Sequence, residues 1–264
     1  MPRYRITVEY DGTPFVGWQV QAAGVSVQGA LQEAIAKFTG DVVSVRGAGR
    51  TDAGVHALGQ VAHFDMSKSC DPFRIRDAMN YHLKPRPIAV LECSEVASGF
   101  DARFSATKRH YLYRILTRRA PPILDRDRVW WLNAPLDAGA MAEAAQVFVG
   151  HHDFTTFRAA QCQAVSASKT LDSLTVDVQG EEIRFRIAAR SFLHSQVRSM
   201  VGSLKLVGAG KWTKADLAAA LAARDRTACG TVAPAAGLYL ANVEYGWDAG
   251  RQFNDFEHAQ ASDD

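Results

Sequence analysis

The sequence predicts an α+β protein in which two ferredoxin-like halves share a largely antiparallel central sheet, with helices packed on it and a cleft between the halves. Three observations carry this. Hydrophobic segments of period two and period 3.6 follow one another as β-α-β-β-α-β over residues 4–93, an order that RNA-binding sheets also use. A comparable order begins again after about residue 108, repeating structure rather than sequence. The 264 residues, 47% hydrophobic and 22% charged, suffice for one large domain or two small ones, each with its own core.

Residues 4–10, Tyr-Arg-Ile-Thr-Val-Glu-Tyr, alternate and read as a strand ending in the Asp11-Gly12 turn. Ser26 is placed to cap a helix over 27–38. Its Val27, Ala30, Leu31, Ala34, Ile35 and Phe38 form one apolar stripe, and Gly40 lies just past its end. Val42–Arg46 reads as a short strand and Val55–Phe64 as a longer one. A helix over 73–83 is stopped by Pro85 and Pro87, with a strand at Ile88–Cys93. In the second half Arg109–Leu116 alternates, Tyr111 and Tyr113 on one face, Leu112 and Leu116 on the other. A helix over 137–149 buries Met141, Ala144, Ala145 and Phe148 and closes at Gly150. Leu171–Val178 and Ile183–Ala189 make a hairpin across Gln179-Gly180. The next helix, 193–207, carries the stripe Leu193, Val197, Met200, Val201, Leu204 and Val207, with Arg198 and Lys205 on another face. Thr213 and Asp216 form a capping box for a short helix through Ala223, and Leu238–Tyr245 is the last strand. The division is therefore 1–105, 106–247, and a tail, 248–264. The tail is polar and aperiodic, so it is expected to be disordered.

Net charge is only +2, but it is unevenly spread. The tail sets one Arg against Asp248, Asp255, Glu257, Asp263 and Asp264, a net of −4, which leaves +6 on the rest. Residues 103–119 hold Arg103, Lys108, Arg109, Arg114, Arg118 and Arg119 with no acid, which suits a polyanionic partner or a solvated basic face. No apolar run approaches the roughly 20 residues that span a bilayer, and the opening MPRYRITVEYDG has no signal-peptide core. The expected compartment is the cytosol. Cys70, Cys93, Cys162 and Cys229 lie far apart with no C-x-x-C, so neither a zinc knuckle nor a disulfide framework is indicated.

Chemistry concentrates in Gly47-Ala48-Gly49-Arg50-Thr51-Asp52-Ala53-Gly54-Val55-His56. Glycines here permit a tight turn or a close approach of backbone to a ligand. Both phosphate templates fail: G-x-G-x-x-G would need glycine at Asp52, and no Gly-Lys-Ser/Thr follows. Asp52 is then either half of a surface pair with Arg50, worth under about 1 kcal/mol, or a catalytic carboxylate.

The run GRTDAGVHALGQVAHFD, Gly49 to Asp65, resembles the signature of the TruA-type tRNA pseudouridine synthases. Further blocks keep that family's order from about residue 4 to 246. They are Tyr10 to Gln19, Ala102 to Ala106 with Arg109 to Tyr113, Gly150 to Phe154 with Phe157-Arg158, Phe192-Leu193 through Val197-Arg198 and Val201-Gly202, then Ala233-Pro234 and Gly237 to Leu240. The chain departs from the family pattern at Lys84, Asp101 and Ser199.

The resemblance implies conversion of uridine to pseudouridine at tRNA positions 38, 39 and 40 in the anticodon stem-loop, without a cofactor. It also implies a homodimer, with one tRNA touching both subunits. It makes Asp52 the catalytic residue, as nucleophile toward the nucleoside or as remover of a sugar proton. Arg198 becomes the guanidinium that keeps Asp52 ionised, and Tyr111 the aromatic packed on the target base. Leu238 becomes the apolar floor under the uracil. Arg50 is cast as an RNA contact that helps hold the target nucleotide out of the stack, and Arg103, Lys108 and Arg109 as further RNA contacts.

Two rival readings use the same residues. One is a catalytically silent RNA-binding module. The other is a metal-dependent hydrolase using His151-His152-Asp153, or Asp52 with His56 and His63. Adjacent histidines point in different directions, and no second H-x-x-x-H or carboxylate cluster accompanies them, so no metal is expected.

Overall fold

In the computed structural model, which describes residues 1–246, ten strands join into one mixed, mostly antiparallel sheet. β1 (Arg3–Tyr10) lies between β3 (His56–Asp65) and β4 (Ile88–Val96), antiparallel to both. The other edge of β3 is shared. β2 (Arg46–Gly47) pairs with His63 and Ala62, and β10 (Leu238–Tyr245) runs parallel beside His56 and Ala57. From β10 the row continues antiparallel through β5 (Ala106–Thr117), β9 (Glu182–Ala189) and β8 (Ser168–Gln179) to β7 (Gly150–Asp153). β6 (Trp130–Leu132) lies parallel to β5. β10, the last strand of the described residues, thus joins the strands β4, β1 and β3 to the strands β5, β9, β8 and β7.

The expected alternation and capping explain most elements. In α1 (Val27–Thr39), Ser26 Oγ accepts from the Gly29 N–H, and Gly40 turns left-handed (φ 77°) to end the helix. α2 (Pro72–Leu83) is capped by Asp71 with proline in its first turn. α3 (Ala138–Ala145) is shorter than expected because residues 146–148 tighten into a 3-10 turn, yet Met141, Ala144, Ala145 and Phe148 are all buried. α5 (Lys214–Ala223) has the capping box read from Thr213 and Asp216.

Three expectations need correction. Of the strand expected over Val42–Arg46 only Arg46 is in a strand, β2: the Val43 and Val45 carbonyls accept from the side-chain amides of Gln32 and Gln28 on α1, at 2.9 and 2.7 Å, so they need no partner strand. The helix expected over 193–207 is α4 (Gln196–Gly208), starting later because Ser195 takes φ 59° and turns residues 193–195 off the helical path. Finally, β6 and β7 were not anticipated, since three or four residues give alternation too little room to show. The tail 248–264 lies outside the described residues.

One apolar core runs beneath the whole sheet, from Tyr4, Ile6 and Phe64 through Tyr113 and Phe185 to the stripe of α4. Leu112, Tyr239 and Ala241, with Leu58, form a small cluster apart from it, as the opposed sides of Leu112 and Tyr113 require. α4 sits tightly against the segment before β10: a methyl on Gly202 would lie 1.6 Å from the Thr231 carbonyl oxygen. Gly202→Ala is therefore expected to cost about 3 kcal/mol or more. Gly99→Ala, where an added Cβ meets nothing within 4 Å, should cost under about 0.5 kcal/mol. Urea denaturation midpoints of the two variants check the contrast.

Candidate active site

The loop between β2 and β3 is built on the Tyr10–Gln19 stretch. Gly12 lies against the Val55 carbonyl, where a Cβ would come within 2.0 Å of oxygen, and Gly17 (φ 112°) lies against the Thr51 carbonyl, where a Cβ would come within 2.7 Å. The Trp18 N–H donates to the Thr51 carbonyl at 3.0 Å, and the Trp18 ring lies under Gly47. Two buried side chains finish the support. Tyr10 and Thr51 share a hydroxyl–hydroxyl bond of 2.8 Å, and Gln60 donates to the Gly49 carbonyl at 2.7 Å. With its backbone groups committed in this way, the loop has little freedom to move Asp52.

α4 approaches from the other side. Arg198 Nη1 donates to Asp52 Oδ2 at 3.0 Å, while its Nε donates to the Ala233 carbonyl at 2.8 Å. Ser195 Oγ is 3.5 Å from the same carboxylate oxygen, and His194 Nε2 is 3.2 Å from Oδ1. The carboxylate therefore faces the N-terminal turn of a helix, where backbone dipoles favour an anion. Asp52 keeps about a quarter of its side chain exposed, 26%, so the acid is held but reachable.

Tyr111 stands on β5, with its ring edge-on to Phe192, centroids 5.0 Å apart. Its phenol oxygen lies 3.8 Å from where a side chain on Gly49 would begin. Burial pushes the phenol up to about 12, with Arg109 opposing and Asp52 adding to the rise. At neutral pH the group is an intact O–H donor. Leu238, buried, pairs with Tyr113 directly across β10 and β5. Directly opposed residues share a face, so Leu238 lies on the side of the sheet that Tyr111 occupies.

The basic residues divide. Arg50 and Arg103 are exposed, the latter with its guanidinium over the Phe104 ring at 5.4 Å. Lys108 pairs with Asp172 at 3.4 Å. Arg109, expected among the RNA contacts, is turned inward and buried. Its guanidinium donates to the carbonyls of Ala48 (2.9 Å), Arg103 (2.6 Å) and Arg190 (2.5 Å). The run that contains no acid in sequence meets acids in space: Arg114 pairs with Glu182 and Asp125, and Arg118 with Glu181.

Sequence reasoning passed over His194 and Ser195. The available signal was their place just before the turn that presents Arg198. It also passed over His56 as a structural hub. The Nδ1 of His56 accepts from the Gly12 N–H at 3.0 Å, so Nε2 carries the proton shared between the carbonyls of Asp127 and Ala236. The histidines of the metal reading are engaged elsewhere, His151 with Thr170 and His152 with the Val149 carbonyl. Among the described residues no three His, Cys, Asp or Glu side chains gather where they could hold a metal ion. No helix of the described residues is long and apolar enough to cross a membrane.

The sequence profile of a family described as tRNA pseudouridine synthase matches residues 6–105 and 144–246. The chain belongs to the tRNA pseudouridine synthase family. The tRNA pseudouridine synthase A of Xanthobacter autotrophicus is 63% identical over 245 residues, 93% of this chain and all of that protein. That of Afipia carboxidovorans is 61% identical over the same shares of both chains, and that of Parvibaculum lavamentivorans 58%. The matched stretches contain Asp52, His194, Arg198 and Leu238, whereas Tyr111 falls in the interval between them. Two histidines in the first stretch set an acid limit on this synthase. Burial lowers the pKa of His56, against the opposing charge of Asp11, and lowers that of His63 in the same way. Both are neutral in the fold and accept a backbone N–H, while the unfolded chain protonates them near 6.5. The stability they contribute is present above about pH 6.5 and is lost as pH falls through their lower folded values. Denaturation free energy should decline between pH 7 and 5, and less steeply in a His56→Gln, His63→Gln double variant.

Proposed function

We propose that the chain isomerises uridine to pseudouridine at positions 38, 39 and 40 of the tRNA anticodon stem-loop, with Asp52 as the catalytic carboxylate. Family membership makes it an isomerase and a tRNA pseudouridine synthase; the sites in tRNA and the roles of the residues are the proposal. The reaction breaks the N1–C1′ bond and joins C5 to C1′. A proton leaves C5 and one is returned to N1. Nothing is oxidised and no outside group is transferred, so the chemistry asks for a well-placed carboxylate rather than a redox group.

The observation that carries the reading is the Asp52 carboxylate at the head of α4, with Arg198 at 3.0 Å and a quarter of its surface open. Either route needs the anion. As a nucleophile Asp52 attacks C1′; as a base it takes a proton from the sugar. Around that carboxylate stand the Arg198 guanidinium, the Ser195 hydroxyl and the first turn of α4. Tyr111 supplies a ring to pack on the base and an O–H to donate, and Leu238 an apolar floor beside it. Arg50, Arg103 and Lys108 are taken as contacts to the RNA backbone, whereas Arg109 acts on the RNA only through the loops it braces. The same reading takes residues 1–105 and 106–247 as two ferredoxin-like halves, with the cleft at the β3–β10 seam. It has the protein working in the cytosol as a homodimer on one tRNA.

Release of tritium from tRNA labelled as [5-³H]uridine tests the proposal. Wild-type release should survive EDTA. Loss to EDTA would favour the hydrolase, and binding without release the silent RNA-binding module. Asp52→Asn should bind tRNA while turnover falls on the order of 10³-fold or more; near-wild-type turnover would end the role given to Asp52. Tyr111→Phe keeps the ring and should leave tRNA affinity unchanged while slowing the chemical step about tenfold. Unchanged kinetics would remove the hydroxyl from the mechanism.

A further inference from the structure

We infer that His194 is a positioning residue for Asp52, holding carboxylate oxygen Oδ1 while Arg198 holds Oδ2 and so fixing which way the acid faces. The inference rests on the function proposed above. A carboxylate held at one oxygen still swings about its last torsion, a soft sp³–sp² rotation. A second group set against the other oxygen limits that freedom. Arg198 Nη1, in the first turn of α4, donates to Oδ2 at 3.0 Å, and His194 Nε2, just before that helix, stands 3.2 Å from Oδ1.

The turn that carries His194 is built at a cost that a plain helix start would not require. Ser195 occupies the N-cap position, where a serine ordinarily bonds an early helix N–H. It makes no such bond; its hydroxyl faces Asp52 at 3.5 Å. It also takes φ 59°, a left-handed conformation that a residue with a Cβ adopts only at a cost. Such strain persists only where the surroundings impose it, and here they do. The Ala159 N–H donates to the His194 carbonyl at 2.9 Å. Buried Gln196 closes the turn twice, its Oε1 accepting from the Leu193 N–H at 2.9 Å and its own N–H donating to the Leu193 carbonyl at 3.1 Å. The strain, the forgone cap and the brace from Ala159 share one result: the imidazole is delivered to Oδ1. The ring is about one-third exposed, 37%, so it is not there to fill the core. Its polar contact among the described residues is Asp52.

An orientation role predicts a particular kinetic signature. Misplacing a reacting group by about 1 Å costs on the order of 10²-fold in rate, with substrate binding unaffected. The test measures kcat and KM by tritium release, tRNA Kd, and melting temperature for wild type, His194→Leu and His194→Gln. Leucine fills the space without a donor; glutamine returns an N–H at a similar reach. We expect His194→Leu to lower kcat roughly 30- to 100-fold with KM and Kd within about threefold, and His194→Gln to recover at least about tenfold of that loss. Wild-type kcat in the leucine variant overturns the inference. So does a loss confined to KM and Kd, or a glutamine variant that folds and is no faster than leucine. Should leucine fail to fold, His194→Ala takes its place in the same comparison. If the wild-type protein releases no tritium from tRNA, the proposed function fails and this inference with it. Wild-type release beside an unimpaired leucine variant removes the inference alone.

Discussion

Asp52 and Arg198 are separated by 146 residues of chain and by 3.0 Å in space. A partly exposed ion pair contributes little to stability, typically under about 1 kcal/mol, so this contact does not hold the protein together. Its importance runs the other way: the fold must hold the contact. The glycines and buried hydroxyls under the β2–β3 loop fix the acid. The Arg198 Nε bond to the Ala233 carbonyl, with the Ala233 N–H returned to the Arg198 carbonyl, fixes the guanidinium against the segment that leads into β10. β10 in turn lies beside His56, four residues beyond Asp52. Acid and guanidinium are thus tied to one another through the sheet as well as directly.

Arg109 shows how a charge can be spent on shape. Its three carbonyl partners belong to the Asp52 loop, the turn before β5 and the connection from β9 to α4. Burying a guanidinium is costly, and burial lowers its pKa, yet each carbonyl it meets would otherwise need a partner of its own. One side chain so gathers three loops around the acid. The neutralised stretch of β5 makes the same point at larger scale. Lys108, Arg114 and Arg118 form a basic run only when the chain is read linearly; Asp172 of β8, Glu182 of β9, Glu181 in the turn between them and Asp125 meet these side chains once the sheet is assembled.

What was legible in the sequence were features written within a few residues of each other. Ser26, Gly40, Thr213 and Asp216 end helices by local bonds, and alternation at Tyr111 to Tyr113 already separates the two faces of β5. Asp52 was visible as a charged residue in a glycine-bounded turn, but the choice of a catalytic role over a surface pair came from the resemblance to the family pattern, and so did the choice of Arg198, whose place off the apolar stripe only agreed with it. Features that depend on distant partners were not legible. Nothing near Arg109 says that it faces inward, nothing near Val43 and Val45 says that glutamines of α1 will take their carbonyls, and His194 acquires its place only when Ser195 turns left-handed.

The sheet order has a bearing on synthesis. β3 pairs at His56 and Ala57 with the final strand of the described chain, and the segment that anchors Arg198 shortly precedes that strand. While the ribosome is still making the polypeptide, the amino-terminal strands and the Asp52 loop exist without their closing neighbour. A product that stops before β10 keeps Asp52, Tyr111, His194, Arg198 and Ala233 in its chain, but it loses Leu238 and the strand that joins β3 to β5.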